Sequence, residues 1–440
     1  MKKKFRALFR SYLTLVFSPV RQGIRNTFLK WLFPGMGIKR WVVLSAIGVI
    51  LTIFGASRLG AARFFTEKLT LGKTTDTLII ALGIYLIFRG VKELFVFIIR
   101  LFLPQKDKGE GKGLVDIIYE QKYLKHGPKI TAVGGGTGLS TLLHGLKEYT
   151  NNISAIVTVA DDGGSSGRIR QQFGILPPGD IRNCLVALAE AEPMMRDLFQ
   201  FRFEEGSELE GHSFGNLFIT AMTRLTGDFE KAVKESSKIL AIRGQVIPST
   251  LNRVSLAANY KDGTHEEGEA QIPKKGVPIR NVFLKPSDVR ATPEAVKAIL
   301  EAEIIILGPG SLYTSIIPNL LIKEIKDALV ASSALKVYVC NIMTQRGETD
   351  NYSAFDHLNA VITHSKARIV DYCIMNTAPI PADLLEKYKE EESFAIKNDS
   401  ERIRRAGFKV IEDDMAELGD LVRHDSKKLA KMIIALAEQK

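Results

Sequence analysis

Four turns rich in Gly, Ser, Thr, Asn and Asp, each behind an apolar run, hold the residues of this 440-residue chain best suited to chemistry. The first lies in KITAVGGGTGLSTLLHGL. The run Ile130–Val133 meets Gly134, Gly135, Gly136, Thr137 and Gly138, and Leu139, Leu142, Leu143 and Leu146 then recur at helical spacing. Strand, glycine turn and helix start together cradle anions, because glycine lets a phosphate approach and the unpaired N–H groups of the helix start point at it. The turn lacks the Lys-Ser/Thr of a Walker A loop and only approaches GxGxxG, so a plain tight turn also accounts for it.

The second turn follows Ile153–Val159 and begins with Asp161 and Asp162, about 25 residues beyond the glycines. Dinucleotide folds use an acidic residue near that distance to receive ribose hydroxyls. Here it opens DDGGSSGRIR, whose Arg168 and Arg170 offer charge to an anion; a solvated turn with helix caps is the plainer reading. Further on, LPPGDIRNCLVAL places Asp180 as an N-cap, with Arg182 and Asn183 in the first turn as groups that face a ligand. In HSFGN, His212 reads as structural, whereas Asn216 beside Gly215 suits base or amide recognition.

The third turn follows the run Ile304–Leu307, which is apolar enough for a central parallel strand buried on both faces. It supplies Gly308, Gly310, Ser311 and Thr314. The fourth follows Lys336–Cys340 and supplies Asn341, Thr344, Gln345 and Glu348. Ligands of such sheets bind at the carboxyl ends of the strands, so the expected fold is a Rossmann-like α/β domain, a mostly parallel sheet with flanking helices.

Charge separates the chain into two parts. Residues 1–112 carry 20 Lys and Arg against 5 Asp and Glu, and the remainder carries 40 against 44. The net charge of +11 therefore belongs to the N-terminal part, which argues against a nucleic-acid-binding domain. Cys184, Cys340 and Cys373 have no CxxC spacing, so a disulfide framework and a thiolate zinc site are not expected, and each reads as a small core residue.

Trp41–Ser57 is uncharged and apolar, and with its flanks it reaches the roughly 20 residues a helix needs to cross a hydrocarbon core. A second run, Thr77–Phe88, leads into RGVKELFVFIIRLFLP, where Arg89, Lys92 and Glu93 share one helical face. Either the span continues past them, or it stops near Phe88 and an interfacial helix follows. The expected module, residues 1–103, is a transmembrane helical hairpin with spans about 41–59 and 76–98. A buried hairpin of a soluble protein is the alternative. Lys and Arg ahead of the first run and behind the second put both ends in the cytoplasm, so the expected location is the cell membrane with the domain facing the cytoplasm. Residues 104–127 read as a linker and 128–440 as the nucleotide-binding domain.

The strings GGGTGLSTLLHGLK, TVADDGGSSGRIR, PPGDIRNCL, HSFGN, ILGPGSLYTSIIPNLL and NIMTQRGETD together resemble the YvcK (GlmR) family of the CofD-like superfamily, over essentially all of residues 128–440. The resemblance implies a CofD-like fold and a UDP-sugar ligand of the UDP-N-acetylglucosamine type. It also implies a gluconeogenesis-factor role linking carbon metabolism to cell-wall precursor supply and cell shape, with a protein partner in that metabolism. By the same resemblance Tyr388 and Arg423 belong to the nucleotide-sugar site; by themselves they read as surface residues. Many members of the family begin close to the glycine turn, and the segment ahead of it here carries no resemblance of its own.

Two functions follow. One is a binding regulator that acts on a partner protein. The other is a CofD-like transferase of a phosphorus-containing group, for which Asp161, Asp162 and Asp180 would supply metal or base and a divalent ion such as Mg would be needed. No cofactor is otherwise expected, no Ser-His or Cys-His constellation is present, and a homo-oligomer stays open. An NAD-dependent dehydrogenase would rest on the glycine turn alone.

Overall fold

Apolar runs of four to seven residues between glycine-rich turns are the length of strands, and the larger part of the chain is built from them. The computed structural model describes residues 39–61, 70–102, 124–190, 193–204, 206 and 208–438. They fall into two compact units, 1–112 and 113–440.

In the second unit the strands run in chain order as β1 (Ile130–Gly134), β2 (Ile153–Val157), β3 (Gln245–Pro248), β4 (Ser255–Tyr260), β5 (His265–Glu267) and β6 (Ile279–Lys285). They continue as β7 (Ile304–Leu307), β8 (Leu335–Val339), β9 (Tyr372–Asn376), β10 (Lys409–Asp413), β11 (Ala416–Leu418) and β12 (Val422–His424). Seven of these form one sheet in the order β10-β9-β8-β7-β1-β2-β3. Every pairing in it is parallel, with Val133 beside Leu307 and Gly134 beside Val157. Helices cover both faces, so β1 and β7 are buried along their whole length, as their uniformly apolar composition requires. An antiparallel sheet, β5-β4-β6, and the ribbon β11-β12 complete the unit. Cys184, Cys340 and Cys373 are free and buried, as expected of core residues.

The first unit contains two helices, α1 (Lys39–Ala61) and α2 (Thr70–Phe102). They run antiparallel with their backbones in close approach. A Cβ at Gly48 would lie 2.6 Å from the Gly83 carbonyl oxygen, and one at Gly83 would lie 2.7 Å from that of Gly48. Small residues at such a seam allow the tight packing that helices use in lipid. At one end Arg58 Nε pairs with Asp76 at 3.2 Å. The outward faces are apolar, with Ile50, Ile53, Leu78 and Phe88 all exposed. Among the described residues, the window Trp41–Arg58 is long and apolar enough to cross a membrane. Of the two alternatives for the second run, α2 takes the continuous one and passes Arg89, Lys92 and Glu93 without a break. The basic N-terminal stretch, the connection between the helices and most of the expected linker lie outside the described residues.

Candidate functional site

The chain steps outward from β1 to β2 and β3 on one side, then returns to β7 and continues through β8, β9 and β10 on the other. The carboxyl ends of β1 and β7 therefore open the crevice at which sheets of this kind bind ligands. The turns that follow these two strands meet there. A Cβ at Gly138 would lie 2.7 Å from the Pro309 carbonyl oxygen and 2.8 Å from Gly310 Cα, so only glycine lets the loops close on one another.

A cavity of about 600 Å³ opens over this contact. Gly135, Gly136, Thr137 and Gly138 form one wall, Gly310 and Ser311 a second, Asn341 and Thr344 a third, and Tyr388 and Arg423 the rim. The helix Gly136–Leu146 starts at Gly135 without a side-chain cap, and its first-turn amides are the donors that favour an anion at a helix start. Arg423 is exposed, and no hydrogen bond or ion pair engages its side chain among the described residues. The Tyr388 hydroxyl accepts the Val422 amide at 2.9 Å, which ties the helix Ala382–Glu390 to β12.

Several polar groups of the cavity hold the loops. Asn341 bonds both the amide and the carbonyl of Gly310. Gln345 Nε2 donates to Ser311 Oγ at 2.8 Å, and Thr344 Oγ1 accepts the Phe394 amide at 2.9 Å. His424 also lines the space, but its ring bonds the Cys340 carbonyl and burial lowers its pKa to about 4, so it stays neutral.

The remaining predicted residues sit behind these walls. Gly134 ends β1, and its carbonyl accepts Asn319 Nδ2 at 3.1 Å. Gly308 precedes the second wall, and Thr314 donates to Glu348. Asp180 is not an N-cap: the helix Gly179–Leu188 begins one residue earlier, with Pro178 at the cap, and the Asp180 carboxylate turns to the Gly136 amide. Burial, and then the charge of Asp161, push its pKa up to about 6. Burial also raises Asp161, against the hydrogen bonds it accepts from the Gly163 amide and Ser166. Asp162 accepts the Ala270 amide at 2.9 Å. Arg182, Asn183 and Asn216 share a separate buried network: Arg182 donates to Ser213 and Asn183, Asn216 donates to Ser165, and Ser165 meets His212 Nδ1. Ser213 is the N-cap of the helix Phe214–Thr226, so these residues lock helix starts together.

The sequence places Glu348 among the polar groups of the fourth turn without singling it out as a ligand residue. This residue lines the cavity, is 6% exposed, and accepts Thr314 Oγ1 at 3.1 Å and the Tyr313 amide at 3.2 Å. Pro273 and Leu421 also line the cavity, arriving from the β5–β6 connection and the β11–β12 ribbon. Neither carries a local signal. Glu269 lies close enough for Asp161, Asp180 and Glu348 to act on it, and burial first, then those charges, raise its pKa.

The family model for 2-phospho-L-lactate transferase CofD matches residues 130–416. The chain is 48% identical over 313 residues to the Bacillus subtilis protein named gluconeogenesis factor, covering 71% of this chain and 99% of that one. A Clostridium acetobutylicum relative, provisionally given the same name, is 44% identical over 421 residues, covering 92% of this chain and 91% of its own. That match leaves roughly 35 residues of this chain aside, fewer than the 112 of the first unit, so most of the segment ahead of the glycine turn is shared with that relative. A crystal structure of a Bacillus halodurans protein of the UPF0052 family superposes with a TM-score of 0.68 at 46% identity, over 70% of this chain and 99% of that one. The chain belongs to the CofD family, on the branch whose named members are gluconeogenesis factors.

Proposed function

We propose that this protein is a membrane-tethered regulator whose cytoplasmic domain binds a nucleotide sugar of the UDP-N-acetylglucosamine type and reports its level to a partner in cell-wall precursor metabolism. One observation carries this reading: the uncapped glycine turn and the unengaged Arg423 face one cavity of about 600 Å³, together with Tyr388. The helix-start amides beyond that of Gly136, which Asp180 takes, and an unengaged guanidinium on the same cavity suit a diphosphate, and the volume suits a ligand that extends beyond it. The apolar outer faces of α1 and α2 and their glycine seam support the tether.

The B. subtilis relative consists almost wholly of the matched domain, so residues 113–440 should fold alone. Calorimetric titration of that fragment with UDP-N-acetylglucosamine, with and without magnesium, tests the reading. Saturable binding without product formation supports it; no binding of the UDP-sugar overturns it.

A transferase of a phosphorus-containing group is the second reading, favoured by Asp161 and Asp180 behind the glycine turn with raised pKa values. Among the described residues no group of three or more His, Cys, Asp or Glu stands close enough to hold a metal ion, so this reading rests on the two acids. Turnover that requires a divalent metal and vanishes in Asp161→Asn, with binding retained, would establish it.

A further inference from the structure

A second arginine besides Arg423 lines the cavity. Arg346 stands in the turn after β8, and the backbone on either side of it is fixed. Gln345 Nε2 bonds Ser311 Oγ on the second wall, and the Gln345 amide donates to Thr349 Oγ1 at 2.9 Å. At Gly347, where φ is 77°, a Cβ would lie 1.8 Å from the Pro273 carbonyl oxygen, so only glycine passes there. The Arg346 side chain itself is 64% exposed, and no hydrogen bond engages it among the described residues. Its ion-pair partner there is Glu392, with Arg346 Nε 3.1 Å from Glu392 Oε2.

The fold delivers that carboxylate. Glu392 lies in the turn that follows the helix Ala382–Glu390, and its amide donates to the Lys389 carbonyl at 3.0 Å. Its φ of 53° is the left-handed conformation that glycine ordinarily supplies after a helix. The next two residues are tied to Thr344, two positions ahead of Arg346. Ser393 Oγ donates to the Thr344 carbonyl, and the Thr344 amide donates to the Phe394 carbonyl at 2.8 Å. Its neighbours Glu391 and Ser393 line the cavity.

We propose that Arg346 is a second phosphate-binding residue of this cavity and that Glu392 is its resident counter-ion, displaced when the diphosphate of the ligand enters. This rests on the nucleotide-sugar reading above. An ion pair this exposed holds weakly, because water screens both charges and two long side chains must be ordered to make it. A phosphate offers the guanidinium more, since its oxygens accept two parallel N–H bonds from the planar fork. The exchange therefore favours the ligand. It also makes Glu392 a competitor that lowers affinity, so removing its charge should strengthen binding, the opposite of what removing a positioning partner does.

The experiment titrates UDP-N-acetylglucosamine and UDP into the full chain in detergent, as wild type, Arg346→Gln, Glu392→Gln and the double variant. Arg346→Gln should weaken both ligands about ten-fold, because a hydrogen-bonded charge contact to their shared diphosphate is lost. Glu392→Gln should strengthen both by about two- to five-fold, the worth of an exposed ion pair. In the double variant Glu392→Gln should add nothing to Arg346→Gln, since the carboxylate acts through the arginine. An equal gain from Glu392→Gln with and without Arg346 would mean general repulsion and would overturn the exchange, as would weaker binding in Glu392→Gln. Unchanged affinity in Arg346→Gln, or a loss confined to the UDP-sugar, would overturn the assignment while leaving the nucleotide-sugar reading intact. A wild type that binds neither ligand would overturn both. All four proteins should unfold at the same temperature, because both side chains are exposed.

Discussion

Asn341 holds Gly310 at both ends of its amide group, with Nδ2 donating to the Gly310 carbonyl at 2.9 Å and Oδ1 accepting the Gly310 amide at 3.3 Å. The residue thus shapes the wall of the cavity that closes on the glycine turn. Asn341→Asp keeps the size but turns the donor into a carboxylate oxygen facing a carbonyl. We expect UDP-N-acetylglucosamine affinity to fall about ten-fold and the domain to lose about 1 kcal/mol, the worth of a hydrogen bond at a half-buried site. Calorimetry and thermal unfolding read the two effects; unchanged affinity would contradict the role.

Gly138→Ala tests the contact between the two turns. Its new methyl would meet backbone atoms of Pro309 and Gly310 below 3 Å, and backbone cannot swing aside as a side chain does. A loss of about 1–3 kcal/mol is expected from such overpacking, with ligand binding abolished. Gly419→Ala, where nothing lies within 4 Å of the new atom, is the matched control and should change neither property.

Arg423→Ala separates binding from stability. The side chain is exposed and unengaged, so unfolding should shift by no more than about 0.5 kcal/mol. Affinity for the UDP-sugar should drop, and its dependence on salt should flatten because a charge–charge attraction has gone. Tyr388→Phe differs, since it also strands the Val422 amide. It should cost about 1 kcal/mol of stability as well.

Glu348 makes stability depend on pH. Its pKa stands at about 7 in the folded chain against the ordinary 4.5. Between those values the unfolded chain has lost a proton that the folded chain keeps, so unfolding gains on folding as pH rises. The contribution of this group is complete below about pH 4.5 and is lost by about pH 7, a change of at most about 3 kcal/mol. Glu348→Gln should therefore be more stable than the wild type at pH 8 and should lose that advantage at pH 5. Parallel curves for the two proteins across this range would refute the burial argument.

For the membrane tether, the full chain should sediment with membranes and resist carbonate extraction, and residues 113–440 should not. Gly83→Leu should loosen the seam with α1, because the added atoms meet the Gly48 carbonyl and Thr52. The measurable effect is faster proteolysis of the helix pair in membranes. A 113–440 fragment that stayed in the membrane pellet would rule the tether out.

Much of the sheet could be read locally. Ile304–Leu307 is β7 residue for residue, and β1, β2 and β8 differ from their apolar runs by one or two residues. A strand buried on both faces must be apolar throughout, and a turn at its end must carry Gly or hydroxyl groups, so composition marks both. Asp161, Arg182, Asn183 and Asn216 looked like ligand residues for the same reason that makes them good helix locks. Polar side chains beside glycine turns suit either task, and for Arg182 and Asn216 the neighbours that choose, Ser213 and Ser165, come from 31 and 51 positions away.

By itself the sequence determined that the chain has a basic apolar N-terminal part and a strand-rich domain, and that four polar turns stand at strand ends. Those properties depend on residues within a few positions of one another. Only the tertiary structure decided that β1 and β7 are neighbours, and hence that the first and third turns close one cavity. It likewise carried the half-buried Tyr388 and the exposed Arg423, neither with a local pattern, to the lining of that cavity. The reason is that strand order and the docking of the β11–β12 ribbon depend on contacts between residues far apart in the chain, which no local spacing records.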